Sequence, residues 1–315
     1  MMRQTKLVML LLVSMSFAGQ KSFGQPETES DVGEPLIGYE DAFIFGVVEG
    51  VTEFLPISST GHLILTKQWL VDISSLSLTE QEAINAYLIV IQGGAIIAVA
   101  LIYARRIFAI VLGFLGFDPG GKKLGLIILA AFLPAALLGP FLDDLIESLL
   151  FGPIPVGVAL ILGALLMYWA EKRKKRSEGM DGDRGKKLGD LTFKDALLVG
   201  LLQCVAMCPG TSRSMMTIVG GYFVGLTRKH SAEFSFLLGL VTLTAAAGYK
   251  AVTKGKALIE SLQWGPMLFG CLVAGVAAAL SVRWLVGYLS RHGLNLFVWY
   301  RLILGAVILA YALAL

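Results

Sequence analysis

Apolar runs close to the length a helix needs to cross a bilayer dominate this chain. They cover residues 83–103, 124–141, 156–170, 232–249, 266–286 and 294–315. A hydrocarbon core takes about 20 helical residues to span. Segments of this kind repeat too often for a soluble domain. Only 16% of the residues are charged and 56% are hydrophobic, against about a quarter charged in a typical soluble domain. The expected fold class is therefore an all-α polytopic membrane protein. Its 36 glycines suit the close helix approach that packing in lipid requires.

Two further apolar segments are too short to span and are broken by proline. Residues 39–54 read as a helix that stops at Pro56, and a second short helix follows a polar turn, to about residue 71. Residues 193–207 read the same way, broken at Pro209 and Gly210, with the return reaching about residue 226. Proline removes a backbone donor and disfavours helix at the residue before it. Such breaks are tolerated at membrane depth only where protein or a water-filled cavity covers the freed backbone. Each segment therefore predicts a re-entrant helical hairpin.

The ends of the spans orient the chain. Residues 1–24 read as a signal peptide, with Arg3 and Lys6 before an apolar core, and residues 25–38 as an acidic exported tail. Arg105, Arg106, Lys122, Lys123 and the basic loop at 172–192 fall on the opposite, cytoplasmic side by the positive-inside rule. The basic run lies between two membrane segments, which sets nucleic acid aside as a partner. Cys204, Cys208 and Cys271 all lie in apolar stretches and read as small packing residues, with no disulfide framework.

The two halves, 39–171 and 193–315, are related. Asp195 minus Asp41 is 154, and the same ungapped offset pairs Ala196 with Ala42, Gly200 with Gly46, Val205 with Val51 and Ser212 with Ser58. Each half holds one hairpin and three transmembrane helices. Three is odd, so the second hairpin is expected to enter from the opposite face. That is an inverted repeat, whose sites form where broken helices meet.

Chemistry gathers at the two breaks. Glu49 and Glu53 lie four residues apart, on one helix face. Carboxylates inside a membrane need a partner, a proton or a metal. A divalent cation, Mg2+ or Ca2+, is one reading of this pair; a shared proton or a distant arginine is the other. Ser58, Ser59 and Thr60 open the second half-helix, where N-capping and chemistry both suit a hydroxyl. His62 follows as a candidate proton carrier. In the second hairpin, Gly210, Ser212, Ser214 and Thr217 surround Arg213 at a helix N-terminus, a setting that favours an anion. An acidic hairpin beside a cationic one suits a phosphate ester or anhydride held with a metal ion. In a membrane cavity that points to a lipid phosphate.

The segments EGVTEFLPISSTGH and PGTSRSMMT closely resemble the two signature regions of the undecaprenyl-pyrophosphate phosphatase family, of the BacA/UppP type. The resemblance covers nearly the whole chain from about Tyr39. It implies hydrolysis of undecaprenyl pyrophosphate to the monophosphate at the outer, periplasmic face of the bacterial inner membrane. This recycles the lipid carrier for peptidoglycan and confers bacitracin resistance. Carried over, it implies Glu49 and Glu53 as the metal-linked acids, Ser59 and His62 as nucleophile and proton partner, and Arg213 as phosphate clamp. Ser58, Thr60, Gly210, Ser212, Ser214 and Thr217 would bind substrate. Met215 departs from the family, which commonly has a small residue there, and is expected to narrow the pocket. Expected partners are the polyprenyl pyrophosphate, membrane lipid and a second copy of the chain in a homodimer. Two mechanisms stay open, attack by Ser59 or by metal-bound water. The rival class is a transporter of undecaprenyl phosphate, because inverted repeats with broken helices also build transporters.

Overall fold

The structure is a computed structural model that describes residues 36–71, 76–178, 185–261 and 264–314. The expected signal peptide and most of the acidic tail lie outside the described residues. So does the middle of the basic loop.

Every named element but one short turn is an α-helix. The first half comprises α1 (Tyr39–Thr52), α2 (Ser59–Leu70), α3 (Leu78–Ile102), α4 (Ala104–Phe114), α5 (Pro119–Leu150) and α6 (Pro153–Glu178). A single 3-10 turn, Leu188–Asp190, precedes the second half. That half holds α7 (Phe193–Val205), α8 (Arg213–Phe223), α9 (Arg228–Ser261), α10 (Trp264–His292) and α11 (Asn295–Ala314). Six of these are long and apolar enough to cross a membrane: α3, α5, α6, α9, α10 and α11.

Local chemistry sets where helices begin. Ser77 and Glu80 form a capping box at α3, each accepting a backbone N–H of the other. Thr192 and Asp195 do the same at α7. At α5 the Asp118 carboxylate accepts from the Gly121 N–H, and Pro119 takes a first-turn position where its missing donor costs nothing. Past residue 170, α6 continues to Glu178, so the first basic residues of the expected loop are helical. The α4 helix was not foreseen. It follows α3 directly after Tyr103 and leaves Phe108, Val111 and Phe114 exposed.

The repeat is visible in packing. A Cβ built on Gly46 of α1 would meet Gly270 and Val273 of α10, and one on Gly200 of α7 would meet Ala131 and Pro134 of α5. The separations agree throughout: 200 − 46 is 154, while 270 − 131 and 273 − 134 are both 139. Where α6 crosses α11, Gly157 faces Leu309 and Gly305 faces Ile161, and 305 − 157 and 309 − 161 are both 148. Contact of i with j matched by the counterparts of each is the mark of a two-fold relation. Each half thus lays its first hairpin helix on a long helix of the other half, α1 on α10 and α7 on α5. That interlocking brings the two breaks together.

Candidate active site

Each break ends in a serine with unusual backbone. Ser58 has φ 75° and ψ 94°, and Ser212 has φ 75° and ψ 117°. They are the only non-glycine residues with positive φ among the described residues, in a region that side chains enter at a cost. Both cap the helix that follows. The Ser58 hydroxyl accepts from the Gly61 N–H and that of Ser212 from the Met215 N–H, each at 3.3 Å. Gly210 is also tightly constrained. Its φ is +88°, and a Cβ there would lie 2.6 Å from the Val156 carbonyl, so only glycine fits the turn.

Three groups join across the breaks in a chain of hydrogen bonds. The Ser59 hydroxyl donates to Glu53 Oε2 at 2.6 Å, and Arg213 Nη2 donates to Glu53 Oε1 at 2.8 Å. Glu53 is nearly buried and Arg213 is 11% exposed, while Ser59, Thr60 and Ser212 are partly exposed. The Ser59 end of the chain is therefore accessible. Arg213 is held from behind by the Ser235 carbonyl and lies over the Phe54 ring, 5.3 Å from its centroid. A Cβ at Gly239 would overlap its guanidinium. Its Nε is buried without a hydrogen-bond partner among the described residues.

Glu49 stands one turn before Glu53 and differs sharply from it. It is 1% exposed, and neither carboxylate oxygen has a hydrogen-bond partner among the described residues. A buried carboxylate is costly; the nearby Gln92 side chain and the Arg213 charge offset part of that cost. No group of three or more His, Cys, Asp and Glu suited to a metal exists among the described residues. A cation here would have at most two carboxylates from the protein. That fits Mg2+, which commonly takes one or two carboxylates and completes its shell with water and substrate phosphate.

The other expected residues fall in less expected places. His62 does not bond Ser59. Its Nδ1 lies 2.7 Å from the Ser58 carbonyl and its Nε2 2.6 Å from the Tyr300 hydroxyl, with the two rings stacked at 8°. A carbonyl only accepts, so Nδ1 carries hydrogen and Nε2 of the neutral ring accepts from Tyr300. Ser214 and Thr217 are fully buried. Ser214 donates to the Leu55 carbonyl at 2.7 Å, tying the second hairpin to the first, and Thr217 bonds Ser235 at 2.6 Å. Both lie in the wall behind Arg213. Met215 is also fully buried in the core, near Gly163 of α6; it fills space behind the turn.

Comparison with known proteins identifies the family. The family described as bacitracin resistance protein BacA matches residues 42–307. Undecaprenyl-diphosphatase 2 of Rhodospirillum rubrum is 45% identical over 271 residues, covering 86% of this chain and 94% of the relative. Undecaprenyl-diphosphatase of Acinetobacter baumannii is 43% identical over 272 residues, 86% of this chain and 95% of the relative. The protein of the same name from Sorangium cellulosum is 43% identical over 274 residues and 85% of each chain. With both breaks inside the matched region and the match covering most of its length, the chain belongs to the BacA family of bacitracin resistance proteins.

Proposed function

We propose that this chain is an undecaprenyl-diphosphatase of the membrane, releasing phosphate from undecaprenyl pyrophosphate and leaving undecaprenyl phosphate. The observation that carries the reading is the Ser59–Glu53–Arg213 chain, which joins a nucleophile, its base and an anion-binding fork across the two breaks. The name undecaprenyl-diphosphatase, borne by its relatives, supports the substrate.

Arg213 binds the terminal phosphate with the Nη2 donor that now holds Glu53. Glu53, already accepting the Ser59 proton at 2.6 Å, takes that proton as Ser59 Oγ attacks the terminal phosphorus. The bond from that phosphorus to the bridging oxygen breaks, and undecaprenyl phosphate leaves with the electron pair. Glu53 passes its proton to the departing lipid phosphate, then takes one from the water that attacks the phosphoserine. The P–Oγ bond breaks, phosphate leaves, and Glu53 returns the proton to Ser59 Oγ. Arg213 and the positive ends of the two restarted helices would stabilise the negative charge on the phosphoryl oxygens. His62, engaged on both nitrogens, fixes the Ser58 carbonyl and hence the turn that carries Ser59. The same family reading places Glu49, with Glu53, as holder of a divalent cation. Such an ion would neutralise phosphate charge that two carboxylates otherwise repel.

The halves are proposed to be inverted in the membrane, as the two-fold packing and the odd number of spans in each half support. The basic helix ends would lie in the cytoplasm and the site would face the periplasm.

The test is phosphate release from undecaprenyl pyrophosphate by purified chain, with and without chelator. Release that needs a divalent cation and is lost in Glu53→Gln and Arg213→Ala is expected. Well-folded wild type without release in added metal contradicts the proposal. Ser59→Ala separates the mechanisms: a loss of about 1,000-fold fits serine attack, whereas substantial turnover leaves water as the nucleophile.

A further inference from the structure

Arg301 on α11 is fully buried in a membrane-spanning helix, and no carboxylate among the described residues pairs with it. An unpaired arginine at that depth is expensive and points to a functional role. Its partners are all backbone carbonyls. Nη1 donates to Pro56 at 3.4 Å and Nη2 to Gly210 at 2.9 Å, in the first and second breaks respectively. Nη2 and Nε also reach Ala159 and Leu160 of α6, at 3.2 and 3.3 Å. A Cβ at Gly163 would overlap the guanidinium, so α6 is shaped to admit it. Broken helices in a membrane leave carbonyls that a neighbour must satisfy. Here one planar fork serves both breaks at once. The residue before it, Tyr300, holds His62 by the hydrogen bond described above.

We infer that Tyr300 and Arg301 are positioning residues of the phosphatase site, fixing the two helix breaks against each other; the inference rests on the phosphatase reading. Pro56 lies two residues before Ser58, and Gly210 lies three before Arg213. A shift of either break relative to the other separates Arg213 from Glu53 and rotates Ser59 away from its acceptor. Tyr300 and Arg301 are both buried, so both act through other residues. The repeat supplies no second copy of this device. At the offset of 148 that relates α11 to α6, Arg301 pairs with Pro153, since 301 − 148 is 153. A single arginine from one half therefore holds both breaks.

The experiment compares phosphate release from undecaprenyl pyrophosphate by purified full-length wild type, Arg301→Met, Arg301→Lys and Tyr300→Phe, with melting temperature measured in parallel. Arg228→Met, which removes a buried arginine bonded to Glu171 away from the breaks, calibrates the effect of lost stability alone. The expected kcat loss is about 100-fold for Arg301→Met, the scale set by a misplacement of about 1 Å. Arg301→Lys recovers part of it, because lysine restores the charge without the fork. Tyr300→Phe keeps the stacked ring and loses about fivefold in kcat, the worth of one hydrogen bond. KM stays within about twofold in Tyr300→Phe, whereas the Arg301 variants also raise KM, because displacing the second break moves the phosphate-binding Arg213. Wild-type kcat in the Arg301 variants and Tyr300→Phe overturns the inference. So does activity that falls only in step with the folded fraction, as in Arg228→Met. Should the Arg301 variants fail to fold, Tyr300→Phe decides alone, and wild-type kcat there is fatal. Absence of turnover in folded wild type with metal is a separate result, which overturns the phosphatase reading and this inference with it.

Discussion

The two hairpins share a backbone and divide the chemistry. Both carry an aspartate at the offset of 154 that accepts a backbone N–H at the helix start, Asp41 from Gly38 and Asp195 from Thr192. Both break at proline and restart from a serine at φ 75°. At the same offset, however, Glu49 faces Gln203, Glu53 faces Met207 and Ser59 faces Arg213. The first hairpin carries the acids and the Ser59 hydroxyl; the second carries the cation. Similar backbone brings two breaks side by side, and a few differing side chains make the pair asymmetric. Neither hairpin has the full set.

Breaking that asymmetry should cost most. Glu49→Gln is expected to lower kcat by about 100-fold or more and to weaken the dependence on divalent cation, on the scale of lost metal assistance. Its counterpart Gln203→Leu should leave kcat within about threefold, since one bond to the Thr242 hydroxyl is all it loses. Metal titrations of phosphate release check both, and equal effects would dissolve the distinction between the hairpins. Shared packing should respond symmetrically. Gly46→Ala and Gly200→Ala press a methyl into Gly270 and Ala131 backbone, and each should destabilise by about 1–3 kcal/mol as overpacking does. Melting curves in detergent test this, and a large effect in only one would break the packing equivalence. The smallest effect belongs to the caps. Ser58→Ala and Ser212→Ala should each cost about 1 kcal/mol of stability, read from the same melts.

Much of this was legible in sequence because it is local. Apolar length announced the six spans, proline and glycine announced the breaks, and the offset of 154 paired them before any contact was known. Glu49, Glu53 and Arg213 stand out as candidates by residue type and spacing and Ser59 by the family resemblance; the structure brings Glu53, Ser59 and Arg213 together. What sequence did not reveal depends on distant partners. His62 looked like a companion to Ser59, yet its ring meets Tyr300, 238 residues away. Ser214 and Thr217 looked exposed to substrate from their polar turn, and they pack instead behind Arg213. The α4 helix follows α3 after a single residue and lies between two expected spans, where sequence predicts no element. Arg301 did leave a signal, an arginine inside an otherwise apolar run, but which carbonyls it holds depends on how the halves interlock.

The most direct test of one site shared by two hairpins is a double-mutant cycle on kcat/KM for phosphate release, using Glu53→Gln, Arg213→Ala and the double variant. Each single change should cost about 1,000-fold, as loss of a key electrostatic group does. If the hairpins form one site, the double variant should be scarcely slower than the worse single, because groups that act as a unit are not additive. Losses that multiply in the double variant would contradict the account.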